Sequence, residues 1–296
     1  MRHNASSPLL IARGALVALV LSIAGQFALA SLQEKAPKKP VSEVTFDIQK
    51  RTYDFKEAGK DMEYALFVPS SYDKAKKWPL VVALHGLGSN PQQIIRYPGL
   101  TQQAEKHGYF VAAPMGYNSR GWYGSLGKRG ARWRRGDPEN LGELSEKDVM
   151  NVLAIIRDEF PIDPNRIYLM GHSMGGGGTW HLAIKYPEIW AGLAPIAPAI
   201  YSSAENLKKI KHIPVIVVQG EKDWLVPASG TRKWVAKMKE LGMEHIYIEV
   251  PGGDHVRPAF QKQPQIFEFF NKHRRSVGST SGEAKGNTAT KPAPEP

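Results

Sequence analysis

The chain contains no cysteine. That excludes a disulfide framework, a thiolate metal site, a cysteine nucleophile and lipid attachment through an N-terminal cysteine. Any catalysis rests on oxygen, nitrogen, or a metal held by oxygen and imidazole. Acidic residues are the minority, 28 Asp and Glu against 39 Lys and Arg, for a formal net charge of +11. Such a balance suits nucleic acid, anionic lipid or acidic polymer as partners, and equally a basic surface with no charged partner. Long apolar runs are scarce. Only residues 14–30 approach the length needed to span a bilayer, and nothing after them does.

Those first thirty residues predict an export signal. Arg2 and Arg13 make a positive start, an apolar run follows, and Ala28-Leu29-Ala30 closes it in the small-x-small pattern of a cleavage site. An uncleaved anchor is the competing reading, against which Gln26 interrupts the apolar run. The expected destination is outside the cytoplasm, secreted or periplasmic, with no stable membrane insertion after cleavage. Export makes nucleic acid the poorest of the possible partners. Oligomeric state is not legible here.

Residues 31–41 read as a flexible leader, and residues 276–296 as a disordered tail. The tail is rich in Ser, Gly, Thr, Ala and Pro and lacks large apolar residues that could offset chain entropy. The folded part is expected at 42–275. Within it, short apolar runs at 44–49, 51–55, 64–68, 80–84, 109–113, 166–170, 192–197, 215–219 and 245–250 predict strands. Helical patterns at 92–107, 146–159, 175–185, 230–241 and 261–273 lie between the later ones, with Asp148 expected in a first helical turn where a carboxylate suits the dipole. This alternation predicts an α/β fold, a mainly parallel doubly wound sheet of about eight strands with an antiparallel N-terminal edge.

The strongest chemical signal is Gly171-His172-Ser173-Met174-Gly175, set between an apolar strand and a helical pattern. A serine at a tight strand-to-helix turn is lifted clear of the sheet, and glycines two residues either side prevent clashes with its neighbours. Ser173 is the candidate nucleophile. After the 80–84 strand comes His85-Gly86-Leu87-Gly88, whose backbone can turn inward. The N–H groups of Leu87 and Met174 are therefore the expected oxyanion donors, although a plain glycine turn explains the same residues. His85 is expected to brace that loop.

A base and an acid are then sought in the order Ser, Asp or Glu, His. The loop after 215–219 reads Gly220-Glu221-Lys222-Asp223, and the loop after 245–250 reads Pro251-Gly252-Gly253-Asp254-His255. Both follow carboxyl ends of predicted strands, the edge where open α/β sheets bind ligands. His255 is the expected base and Asp223 the acid that orients it, with Glu221 the competitor. Asp254 reads as a loop cap, and His172 and His181 as packing or surface residues.

On "YALFVPSSYD", "LVVALHGLGSN", "IDPNRIYLMGHSMGGGGTWHLA", "GEKDWLVP" and "GGDH", the chain resembles the α/β-hydrolase superfamily from about Tyr64 to His273. Within it, the likeness is to secreted esterases related to feruloyl esterases and polyhydroxybutyrate-depolymerase-like enzymes, and to prolyl-oligopeptidase catalytic domains. The resemblance implies a Ser173, Asp223, His255 triad and no cofactor. The likeness to prolyl oligopeptidases is to their catalytic domain and does not extend to their β-propeller, and the elbow reads GHSMGG where depolymerases commonly carry Ser-Ala-Gly-Gly. The implied activity is carboxylic-ester hydrolysis through an acyl-enzyme, on a small-molecule or polysaccharide-linked ester. A serine peptidase and a non-catalytic binding protein on the same fold are the alternatives. Trp122, Trp133 and Trp224 could wall an aryl acyl group, or simply pack their loops. The basic run at 128–135 could face a carboxylated polysaccharide, or solvent.

Overall fold

The structure, a computed structural model, describes residues 47–128 and 134–275. The predicted leader, tail and N-terminal signal all lie outside the described residues, as do Val44 and Trp133.

Eight strands form one sheet: β1 (Ile48–Phe55), β2 (Lys60–Phe67), β3 (Trp78–Leu84), β4 (Phe110–Pro114), β5 (Ile162–His172), β6 (Gly192–Ile196), β7 (Val215–Gly220) and β8 (His245–Val250). Their spatial order is β1-β2-β4-β3-β5-β6-β7-β8. The first two strands pair antiparallel, β2 pairs antiparallel with β4, and every pairing from β4 through β8 is parallel. The expected α/β architecture and antiparallel edge are therefore present. Strand β3 explains the parallel portion: Trp-Pro-Leu-Val-Val-Ala-Leu is buried throughout, as a strand covered on both faces must be. Alternate residues feed two cores, Leu80, Val82 and Leu84 on one face and Val81 and Ala83 on the other.

Among the described residues, seven α-helices cover the sheet: α1 (Pro91–Ile94), α2 (Leu100–His107), α3 (Leu141–Glu159), α4 (Met174–Lys185), α5 (Ala228–Glu240), α6 (Arg257–Gln261) and α7 (Gln263–Lys272). Val149, Val152 and Ile156 of α3, Trp180 of α4 and Trp234 of α5 fill the first core. Ile94 of α1, Leu100 and Ala104 of α2, and Ile266, Phe267 and Phe270 of α7 fill the second.

Four details differ from the sequence reading. The strands expected at 44–49 and 51–55 join: Ile48–Phe55 runs unbroken, because each residue finds a partner on β2. The helix expected at 92–107 is two, divided at Tyr97-Pro98-Gly99, where proline lacks a donor and Gly99 takes φ 91° as the cap of α2. The helix expected at 261–273 likewise breaks between α6 and α7, with Pro264 in the first turn of α7. The third helix begins at Leu141, so Asp148 lies two turns in. It is fully buried and accepts hydrogen bonds from Tyr53 Oη (2.6 Å) and Gly116 N (2.6 Å), which makes it a core tether and not a dipole partner.

Candidate active site

Ser173 stands between β5 and α4 at φ 59° and ψ −114°, outside the regions open to ordinary side chains. Strain of this kind, of order 1–3 kcal/mol, persists only where surroundings over-determine it. Here the Ser173 N–H donates to Ile196 O (2.9 Å), and its carbonyl accepts from Gly177 N (3.1 Å) and Ala199 N (3.0 Å). The flanking glycines are required by contact. A Cβ on Gly171 would lie 2.2 Å from Gly175 O, and one on Gly175 would lie 2.1 Å from Leu84 O. The turn can close only without those methyl groups.

Loops at the carboxyl ends of β3, β4, β5, β6, β7 and β8 meet around this serine. Ser173, Leu87, Trp122 and His255 line one cavity of about 430 Å³, a size suited to a small organic ligand. Behind His255 lies Asp223, whose side chain is wholly buried. The His255 Nδ1–H donates to Asp223 Oδ2 at 2.7 Å. The second carboxylate oxygen accepts from the N–H groups of Leu225 (3.0 Å) and Val226 (2.8 Å). Gln219 Nε2 adds a further bond to Oδ2 at 3.1 Å, itself held by Thr231 Oγ1 on Oε1 (2.8 Å). A carboxylate so surrounded cannot swing away from the imidazole. With Nδ1 carrying the hydrogen, a neutral His255 has Nε2 free to accept a proton.

Glu221, the competing acid, points elsewhere and accepts from Gly252 N at 2.7 Å. Asp254 accepts from Val256 N and Arg257 N, which caps the start of α6 and holds its carboxyl below the usual range. His85 Nε2 lies 2.8 Å from Met115 O, and the tautomer with its hydrogen on Nε2 ties the loop after β3 to the loop after β4. Burial lowers its pKa. Gly86 packs close to the serine, since a Cβ there would be 3.5 Å from Ser173 Cβ. Met174 is the first residue of α4, so its N–H has no acceptor within the helix.

His172 does more than pack. Its Nε2–H donates to His255 O (2.8 Å), and the bare Nδ1 accepts from Tyr97 Oη (3.0 Å). Burial pushes its pKa down to about 4, so the ring is neutral near pH 7. The elbow thereby holds the backbone of the histidine loop. His181 bonds Glu146 Oε2 at 2.7 Å on the far side of α4.

Of the three tryptophans, Trp122 lines the cavity, with its backbone at φ 59°. Trp224 is 79% exposed and does not line it. The aromatic partner that Trp122 meets is Tyr201, edge-on at 5.3 Å between ring centroids. Tyr201 follows β6. The rule that directed attention to the ends of β7 and β8 applies equally there, and would have found it. In the basic loop, Arg120 pairs with Asp137 at 2.5 Å, and that charge is already matched.

A serine raised at a strand-to-helix turn on this sheet, with histidine and aspartate on the following strand ends, defines an α/β hydrolase. The model of the Esterase family matches residues 56–269, and the chain belongs to that family. The S-formylglutathione hydrolase of Rattus norvegicus is 33% identical over 146 residues, covering 46% of this chain and 51% of that one. The chain spans about half the length of the curated relatives it matches. A thermostable esterase of known structure is 30% identical with a TM-score of 0.63, over 77% of this chain and 64% of that one. A ferulic acid esterase from Anaeromyces mucronatus superposes with a TM-score of 0.62, over 78% of this chain and 92% of that one, and at 19% identity the likeness is of fold.

Proposed function

We propose that this chain hydrolyses carboxylic esters through an acyl-enzyme on Ser173. The observation that carries the reading is the His255–Asp223 hydrogen bond at 2.7 Å beside a cavity that His255 shares with Ser173. His255 Nε2 takes the Ser173 proton as Oγ attacks the ester carbonyl. Asp223 keeps the imidazole in the required tautomer and stabilises its charged form. The carbonyl oxygen, now an anion, is met by the N–H groups of Met174 and Leu87. Collapse expels the alcohol, which receives the proton from His255, and a water activated by the same imidazole releases the acid.

Within that class, the Trp122–Tyr201 pair favours an aromatic acid such as a ferulate, since a good ring contact contributes roughly 0.5–1.5 kcal/mol beyond area burial. The test is a panel of aryl and alkyl esters beside peptide amides, with a fluorophosphonate probe. Labelling of Ser173 alone, loss of nearly all turnover in Ser173→Ala and faster methyl ferulate than acetate hydrolysis are expected, after correction for leaving group. Labelling elsewhere, or amides cleaved faster than esters, would overturn the reading.

The N-terminal thirty residues are proposed as an export signal removed after Ala30, supported by their charge and apolar pattern. Mass spectrometry of exported protein that still carried Met1–Ala30 would contradict it. Among the described residues, no helix is long and apolar enough to cross a membrane.

A further inference from the structure

A second compartment of about 260 Å³ adjoins the Ser173 cavity. The two share Ala199, Tyr201, Leu225 and Val226 as lining, so Tyr201 and Leu225 stand between them as a partition. The second compartment is further lined by Pro198, Ile200, Pro227, Ser229 and Gly230. Among the described residues, no Lys, Arg, Asp or Glu lines either compartment.

The surface around the opening agrees. Six large apolar side chains are exposed among the described residues, and four of them, Leu87, Tyr201, Leu225 and Val256, line the Ser173 cavity. Trp224, the most exposed at 79%, directly precedes Leu225. Exposed apolar residues scattered singly need no explanation, whereas a set gathered on one mouth marks a binding surface. The catalytic cavity is thus one end of a longer groove.

We infer that the groove takes an ester carrying a straight apolar chain, which runs from Ser173 past Tyr201 and Leu225 into the second compartment. The inference rests on the reading of Ser173 as nucleophile, and it adds the shape of the substrate. The chain can belong to the acid or to the alcohol, and two ester series separate these: p-nitrophenyl esters from acetate to decanoate, and ferulates from methyl to octyl.

Gly230 supplies the probe. It is exposed near the start of α5, and a Cβ built on it meets nothing within 4 Å, so the backbone accepts a side chain there and Gly230→Phe adds a ring to the lining of the second compartment. In the wild-type protein, kcat/KM in one series rises roughly twofold to fourfold per methylene as the apolar chain lengthens. In Gly230→Phe, the ratio of the eight-carbon member to the shortest member of that series falls about tenfold or more. The responding series identifies which half of the ester occupies the groove. A flat or falling dependence in both series, or a ratio in Gly230→Phe within about twofold of wild type, would overturn the inference.

Occupancy is read separately from turnover. Titration of Ser173→Ala protein with p-nitrophenyl octanoate, followed by tryptophan fluorescence, is expected to give tighter binding than the acetate. That difference should shrink in the Ser173→Ala, Gly230→Phe double variant. If Ser173 were not the nucleophile, this binding difference would still stand, and equal binding of both esters would sink the groove alone.

Discussion

At the scale of single residues, the site divides into groups that act and groups that aim them. Asp223 is aimed by three donors, and it meets His255 where Glu221 does not. Asp223→Asn puts an amide against Nδ1 and favours the wrong tautomer, so kcat for an ester such as p-nitrophenyl butyrate should fall by about a hundredfold or more. Glu221→Gln keeps an oxygen for Gly252 N–H and should leave kcat within about twofold of wild type. If the two variants exchanged behaviour, Glu221 would be the orienting acid. Gln219 belongs with the aiming groups. Its amide bridges Asp223 to Thr231 from a fully buried position on β7.

At the scale of elements, α4 organises the site. Its run Gly175-Gly176-Gly177-Gly178 is poor helix material, at roughly 1 kcal/mol per residue against alanine. The compensation is proximity. Gly178 is one case, since a Cβ there would lie 2.6 Å from Tyr123 Cδ2. Tyr123 is fully buried, takes φ 51° and reaches back to His85 O at 3.2 Å, so it cannot easily yield. Gly178→Ala should destabilise the protein by about 1–3 kcal/mol in urea titrations despite the better helix propensity. Because Trp122 neighbours Tyr123, KM for aryl esters should rise as well. A stabilised variant would show that the glycine run serves no packing role.

At the scale of the whole molecule, two buried groups give pH dependence of opposite sign. His172 has its pKa pushed down to about 4 by burial, against 6.5 when unfolded. Between those values the unfolded chain binds the extra proton, so acidification through this window costs stability. Asp148 is pushed up by burial to about 6, against 3.8 when unfolded. Between those values the folded chain binds the extra proton, so acidification stabilises. From pH 6 to 4 the two nearly cancel, each amounting to about 2–3 kcal/mol. Glu146, held at about 2 beside His181, Lys185 and Tyr186, acts mainly below that range. His172→Gln should therefore gain stability on acidification from pH 6 to 4 relative to wild type, and Asp148→Asn should lose it. Urea unfolding at both pH values checks the signs, and parallel curves for all three proteins would remove these residues from the account.

The layered sheet, the elbow serine and the order of acid and base were determined by local pattern. Apolar strands alternating with amphipathic helices leave few ways to bury both faces of a parallel sheet, and strand ends then fall on one edge. Glycines two residues either side of Ser173 carry their reason in the turn itself. Helix limits were less legible where proline and glycine divided one apolar pattern into two helices, as at Pro98-Gly99. What tertiary structure alone decided concerns residues distant in sequence. Tyr201 displaces Trp224 as the partner of Trp122, Asp148 of α3 tethers Tyr53 and the loop after β4, and the His255 carbonyl fixes the tautomer of His172. The lining shared by the Ser173 cavity and the compartment beside it has the same origin. It is built from the ends of β6 and β7, and only the closing of the sheet brings those segments side by side.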